Sequence, residues 1–293
     1  MVTAPSRALM HQSSNAAKAT LLSTHTWPGV ERVAYEVRWG TKPGSVSWTF
    51  AKPALCYLRG EIGGRGELRE HANVPCEGEF HGSGHLSLVS AEKQSTLYSE
   101  SLREAQYWCF LLSPEQADAL TPEQSESINH APSRFMFRNE RVQFCLDLLC
   151  DCDDSDDSYS LALSRALLAS LLDVVSHHSK ASKHRLTGLR LHRVLSHIAE
   201  TLDSTLMNEE LARIAEAPAG EFGRMFREST GISPQRWQMD ARVRRAQRML
   251  VDDPQVSLAA VAGSAGFSDQ SHFTRAFLDV VGVTPTAWLH QRN

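Results

Sequence analysis

Four side chains near the C-terminus carry the most legible chemistry in this chain. Gln270, Ser271, Thr274 and Arg275 stand at i, i+1, i+4 and i+5 of a segment whose Phe273, Ala276, Phe277 and Val280 share the opposite helical face. One face is therefore core, and the other presents an amide, two hydroxyls and a guanidinium. These groups match the edges of base pairs: arginine pairs with guanine, glutamine with adenine, and threonine offers a hydroxyl or touches the thymine methyl. Ser268, just ahead of them, suits a helix N-cap, because its hydroxyl can accept from a free backbone N–H of the first turn.

The segment is one copy of a repeat. Phe222, Arg224, Phe226, Gly231 and Pro234 recur 51 residues later as Phe273, Arg275, Phe277, Gly282 and Pro285. Each copy opens with a short amphipathic helix, at 208–215 with Leu211-Ala212 and at 257–264 with Val261-Ala262, followed by a turn and a second helix. That is the layout of a helix-turn-helix unit. Between the copies, residues 233–250 carry Met239, Val243, Ala246 and Leu250 at helical period, with Arg236, Arg242, Arg244, Arg245 and Arg248 on the other faces. At about 1.5 Å per residue this helix spans roughly 27 Å, enough to hold two recognition helices near major grooves roughly 34 Å apart. Arg227, Arg236, Arg244 and Arg245, together with Ser268, are the candidate contacts to the DNA backbone. From residue 186 onward the chain has 12 Arg, no Lys and 12 acidic residues, so clustering rather than net charge makes the case.

The first copy departs from the second. Glu216 stands where the second has Gly266, and Ala217-Pro218 stand near the position of Ser268. The counterparts of Gln270, Ser271, Thr274 and Arg275 are Ala219, Gly220, Gly223 and Arg224, and of these only Arg224 can make a strong base contact. The expectation is one unit that reads bases and one that mainly positions.

The block VSLAAVAGSAGFSDQSHFTRAFLDVVGVTPTAW resembles the signature of the AraC/XylS family of transcription regulators, and the resemblance covers residues 188–293. It implies sequence-specific binding of double-stranded DNA, a small-molecule effector of unstated identity, activation rather than repression, and RNA polymerase as a partner. A regulator that has lost autonomous DNA binding and works through protein contacts stays open as the alternative.

The elements that must position these residues follow from the rest of the chain. Its 293 residues exceed one ordinary domain, and 42% hydrophobic with 22% charged residues is an ordinary globular composition. The net charge of −4 announces no nucleic-acid partner by itself. Residues 1–27, rich in Ala, Ser, Thr and Asn, read as a flexible arm. β-Branched and aromatic runs at 30–39, 45–50, 54–58, 85–89 and 106–112, separated by turn-forming stretches, predict an antiparallel sheet, barrel or sandwich. Helical stripes follow, one with Val142, Leu146 and Leu149 and another with Leu161, Leu168, Leu171, Leu172 and Val175. The fold expected is α+β: a sensor and dimerisation domain at 28–178, a polar linker at 179–187 and an all-α DNA-binding domain at 188–293. The resemblance makes the sensor cupin-like and gives its helices to homodimerisation, with the leucine stripe as the candidate interface. Trp39, Trp48, Tyr57, His85, Tyr98 and Trp108 are candidate effector-pocket residues.

Other motifs lack the chemistry they suggest. His71, His81 and His85 do not form the ligand pattern of a cupin metal site, so neither metal nor cofactor is expected, and no enzyme activity. DCDDSDDS has Asp156 where a calcium loop needs glycine and Ala162 where it needs glutamate. Asp151 between Cys150 and Cys152 should raise thiol pKa, against a redox pair, and the six cysteines read as reduced thiols. GEIGGRGE lacks the Lys-Ser/Thr of a phosphate loop and reads as a glycine-rich hairpin. No run of about 18 apolar residues and no secretion signal is evident, so a cytoplasmic protein without membrane contact is expected.

Overall fold

The computed structural model describes residues 9–70, 84–118, 120–152, 157–176, 186 and 188–292. Ten strands come first: β1 Leu9–Asn15, β2 Ala17–Trp27, β3 Val30–Trp39, β4 Gly44–Phe50, β5 Ala54–Ile62, β6 Glu67–Arg69, β7 Leu86–Val89, β8 Gln94–Ser99, β9 Glu104–Leu112 and β10 Arg134–Phe137, with helix α1 Pro122–Asn129 ahead of the last. Two helices, α2 Glu140–Asp151 and α3 Asp157–Ser176, close the first half. The second half contains α4 Gly188–Glu200, α5 Asn208–Ile214, α6 Ala219–Thr230, α7 Pro234–Asp252, α8 Leu258–Ser264, α9 Gln270–Val281 and α10 Pro285–His290.

The strands make an antiparallel sandwich rather than a closed barrel, with a four-stranded sheet ordered β1-β4-β8-β6 and a six-stranded sheet ordered β10-β7-β5-β9-β3-β2. Strand alternation gives the larger sheet two apolar faces. Val33, Tyr35, Val37, Cys56, Leu58, Tyr107 and Cys109 point into the sandwich, where they meet Val46, Trp48, Phe50 and Leu97 of the smaller sheet. Leu55, Tyr57, Leu86, Leu88, Phe110 and Leu112 point outward and are covered by α2 and α3. A strand buried on both faces reads as an unbroken apolar run, as Ala54–Leu58 does.

Covering that outer face is what the leucine stripe does. Leu167, Leu168 and Leu171 of α3 are fully buried in the chain's own core, and Leu172 and Val175 pack half-buried against it. The expectation that the stripe is a dimer interface is therefore corrected, because its apolar area goes to a second face of the sheet. The window Ser158–Ser176 does reach a mean hydropathy of 1.3, the length and composition of a membrane span. Its buried residues lie against α2 and the sheet.

The flexible-arm reading is corrected as well for residues 9–27. β2 pairs with β3 from Ala17 to Trp27, and β1 pairs with β4. Ala17, Ala19 and Leu21 alternate with exposed Lys18, Thr20 and Leu22, an edge-strand pattern too polar to stand out in sequence. Between the strands, Ala16 has φ 55°, a left-handed residue that turns the chain from one sheet to the other. Linker residues 179–185 and 187, His71 and His81, and residues 153–156 of the acidic loop lie outside the described residues.

Two further cores organise the helical half. Leu191, Val194 and Ile198 of α4 pack with Leu211, Phe222, Phe226 and Trp237. Val243, Ala246 and Leu250 of α7 pack with Val261, Phe273, Phe277 and Trp288. Truncating Leu168 to alanine should cost about 2 to 5 kcal/mol of unfolding free energy in urea titrations, the range for a buried leucine. The same variant should sediment like the parent chain under native conditions.

Candidate nucleic-acid interface

The second recognition helix, α9, begins on a side-chain cap. Asp269, not the expected Ser268, is its N-cap, and the Asp269 carboxylate accepts from the His272 backbone N–H at 2.8 Å. That hydrogen bond, then one from Ser268, holds the carboxyl below the usual carboxylate range. Ser268 Oγ also lies 3.2 Å from His272 Nδ1. With its inner face locked by Phe273 and Phe277, α9 leaves Gln270, Ser271 and Arg275 exposed on the other face. Thr274 is half-buried, and its hydroxyl donates to the Gln270 carbonyl at 2.9 Å, which leaves its lone pairs and methyl facing outward.

The first recognition helix, α6, is built differently at the same place. Pro218 is its N-cap and makes no side-chain cap bond. Ala219 and Gly220 are exposed, Gly223 is half-buried, and a Cβ on either glycine would meet nothing within 4 Å. Arg224 is exposed and donates to Glu221 at 3.3 Å, one turn before it. At the positions matching Gln270, Ser271 and Thr274 the face thus carries no hydrogen-bonding side chain, and Arg224 is the cation beside them.

The tight turns ahead of the two helices are geometrically alike despite their different residues. Gly266 has φ +87°, and a Cβ there would sit 2.8 Å from the Leu202 carbonyl oxygen. Glu216 takes the same left-handed region at φ 51° with a side chain in place, its carboxylate 3.0 Å from Arg193 and 3.8 Å from Arg190.

The arginines of α7 are not all where a DNA backbone could reach them. Arg227 of α6 is exposed, and Arg245 is partly exposed with Asp203 at 3.9 Å. Arg236 is shared between Asp240, at 3.4 Å, and Asp279 of α9, an ion pair that ties the second recognition helix to the connecting helix. Arg244 turns the other way. Its guanidinium donates to the carbonyls of Gly64 at 2.8 Å and Glu61 at 3.3 Å, and its side chain is 13% exposed. The expectation that Arg244 contacts DNA is corrected for this arrangement, because its guanidinium is turned to the carbonyls of a neighbouring sheet edge and to the buried Glu61 carboxylate, 4.0 Å away.

That edge is the glycine-rich hairpin between β5 and β6, and sequence reasoning missed its role. Arg248 donates to the Gly63 carbonyl at 3.0 Å, and Gly63 N–H donates to Gln247 at 3.4 Å. Arg65 lies 4.1 Å from the Trp237 ring centroid and 3.5 Å from Asp240. A bidentate pair from Arg103 to Asp252, at 2.8 and 2.9 Å, and an Arg292–Glu104 pair at 2.6 Å extend the contact. A Cβ on Gly63 would lie 2.7 Å from Arg248 Cγ, and one on Gly64 2.1 Å from Ser101 Oγ. The density of glycine in GEIGGRGE was the available signal, since glycine permits close backbone approach.

The six aromatic and histidine pocket candidates do not converge. Trp48 is enclosed between Tyr35 and Tyr107 inside the sandwich, with centroids 5.6 and 4.3 Å away, and Trp39 donates to the Gly44 carbonyl at 3.1 Å. Tyr57 and Trp108 lie on the opposite face, where Tyr57 donates to Asp147 at 2.9 Å and Trp108 is flanked by Arg32 and Arg59 at 5.2 and 5.3 Å. His85 is buried just before β7. Tyr98 lines a cleft between the four-stranded sheet and the helical half, and Tyr57 lines a separate one beside the glycine-rich hairpin. Side chains on two faces of one sheet cannot wall a single cavity. The described cysteines are free thiols, and Cys150 is pushed up to about 12, mainly by burial, with Asp147 rather than Asp151 adding a smaller raising effect.

Residues 211–291 match the family described as a helix-turn-helix domain. The Msm operon regulatory protein of Streptococcus mutans is 27% identical over 41% of this chain and 43% of its own length. The arabinose operon regulatory protein of Escherichia coli is 26% identical over 47% of each chain. The structure of ToxT from Vibrio cholerae aligns over 89% of this chain and 98% of its own at 10% identity, with a TM-score of 0.36. The chain thus spans less than half the length of these curated relatives. Its C-terminal region is an AraC-type helix-turn-helix domain.

The two turns give opposite expectations. Replacing Glu216 with glycine should raise stability by about 0.5 to 1 kcal/mol, since a left-handed side chain costs roughly 1 kcal/mol and its exposed ion pairs return little. Replacing Gly266 with alanine should lower it by more than about 1 kcal/mol, and paired urea melts check both signs.

Proposed function

We propose that this chain is a ligand-responsive regulator of transcription that binds double-stranded DNA in the major groove. α9 reads bases through Gln270, Ser271, Thr274 and Arg275, while α6 contributes Arg224 and otherwise positions. The observation that carries the reading is α9 itself: a capped helix, anchored by buried phenylalanines, whose opposite face displays base-reading side chains. The repeat places a second such helix on the other end of α7. Arg227, Arg236, Arg245 and Ser268 are the backbone contacts this reading retains. The named relatives include operon regulatory proteins, which supports transcription over catalysis as the activity.

The finer assignments rest on the resemblance. They are a cupin-like sensor at 28–178 joined through 179–187 to the DNA-binding domain at 188–293, an activating role through RNA polymerase, a homodimeric form and a cytoplasmic location. The sandwich and its two covering helices are compatible with a sensor of that kind.

Arg275→Ala should weaken binding to a selected operator by about 1 to 3 kcal/mol, roughly 5- to 150-fold, and relax preference at the bases it faces. Selection from libraries randomised at each half-site should give a sharp preference opposite α9 and a shallow one opposite α6. Operator affinity should also fall steeply with salt as phosphate contacts are lost. Equal sharpness in both halves would overturn the division of labour, and absence of salt-dependent binding would overturn the DNA reading in favour of a regulator acting through protein contacts.

A further inference from the structure

Leu278 of α9 is 45% exposed, whereas Phe273, Ala276 and Phe277 of the same helix are buried. Val280 and Val281 pack against the core of the second unit, and among the described residues Leu278 does not. A single exposed leucine is ordinary on a protein surface; what sets this one apart is its register. Ser271, Thr274, Arg275 and Leu278 stand at i, i+3, i+4 and i+7. Seven residues bring a helix back to within roughly 20° of the same direction, so Leu278 projects beside the three reading side chains, about 10 Å farther along the axis than Ser271. A recognition helix that lies along the major groove can read bases with this same spacing. α9 runs on to Val281 and closes on the left-handed Gly282, so residue 278 holds a regular helical position. The adjacent acid, Asp279, would repel phosphate, but its carboxylate is paired with Arg236 of α7.

The first unit supplies the contrast. Shifted by 51 residues, Leu278 becomes Arg227, which is also exposed. A guanidinium there suits a phosphate and reads no sequence, in keeping with a helix whose other reading positions hold Ala219, Gly220 and Gly223. A leucine has neither donor nor acceptor to offer a phosphate. The feature of the major groove that rewards an aliphatic side chain is the 5-methyl group of thymine.

We propose that Leu278 is a specificity-determining residue of α9, its isobutyl group packing against the methyl of a thymine two helical turns beyond the base that Ser271 faces. The assignment rests on the reading of α9 as the base-reading helix. It extends that face from polar groups to an apolar one, so that the far end of the half-site is selected by burial of a methyl rather than by hydrogen bonds.

The experiment uses the full chain and an operator selected from randomised duplexes, in which each thymine is replaced in turn by uracil, a change that removes the methyl and leaves pairing intact. The parent chain should bind about fourfold more weakly when one particular thymine of the α9 half-site is replaced, the worth of one buried methyl group. Leu278→Ala should bind the unaltered operator more weakly by at least that factor and be indifferent to uracil at that position, while melting with the parent chain. Leu278→Met, which keeps an apolar end, should retain the sensitivity. Thr274→Ser removes the other methyl on this face and should leave the sensitivity at that thymine unchanged. A parent chain that binds the operator but responds to no thymine methyl would overturn the proposal and leave base reading by the polar residues standing. So would a Leu278→Ala variant as sensitive as the parent, or loss of the sensitivity in Thr274→Ser. Failure of the parent chain to bind any selected duplex would overturn the DNA reading itself, and this assignment with it.

Discussion

Helix α7 is pressed by three neighbours at once, and the arrangement of the helical half follows from that crowding. Val243, Ala246 and Leu250 fill the core of the second helix-turn-helix unit, while Trp237 and Ala241 face the first. Arg244, Gln247 and Arg248 face the glycine hairpin of the sheet domain. A single helix offers about 3.6 residues per turn, so three partners leave it little circumference for solvent. Both recognition helices are therefore seated on an element that also bears the contact with the sensor half. Any displacement of α7 at the hairpin has to be absorbed in the packing beneath α6 and α9, because close-packed interiors transmit shifts rather than dissipate them.

The hairpin contact illustrates how a cation is accommodated away from water. Guanidinium groups need acceptors when they lose solvent, and carboxylates are the usual answer. Here Gly63, Gly64 and Glu61 present main-chain oxygens to Arg244 and Arg248, which is possible because glycine lets the backbone come close enough. The Glu61 carboxylate, 4.0 Å from Arg244, adds an ion pair to these main-chain bonds. Nearby, Arg103 with Asp252 uses the carboxylate solution in bidentate form, and that pairing holds the Asp252 carboxyl below its ordinary range.

The two helix-turn-helix units show how a duplicated scaffold tolerates divergence on its surface. Phe222 and Phe226 in the first and Phe273 and Phe277 in the second are all fully buried, so the repeated spacing is a packing requirement. Both recognition helices end on a left-handed glycine, Gly231 or Gly282, followed by a proline-led helix with a Ser or Thr cap. The exposed residues obey no such constraint. A Cβ on Gly220 or Gly223 would meet nothing within 4 Å, and Ser271 and Thr274 occupy the corresponding positions in the other copy.

The paired units, their connecting helix and the asymmetry of their faces were legible in the sequence, because each depends on local periodicity and on residues three or four apart. The strands at 30–39 and 54–58 were legible for the same reason. The sequence could not show that β2 joins the six-stranded sheet, since Ala17 to Thr26 is too polar to signal burial and is held by pairing with β3. It also misdirected the leucine stripe of α3. Apolar periodicity tells which side of a helix is buried but not against what, and the partner proved to be the outer face of the chain's own sheet. Arg244 makes the same point in charge: an arginine on a helix beside a recognition unit has the chemistry to meet phosphate, yet its donors go to carbonyls 180 residues away. Local spacing determined what the side chains could do, and only the packing of distant segments decided which of them were left to do it.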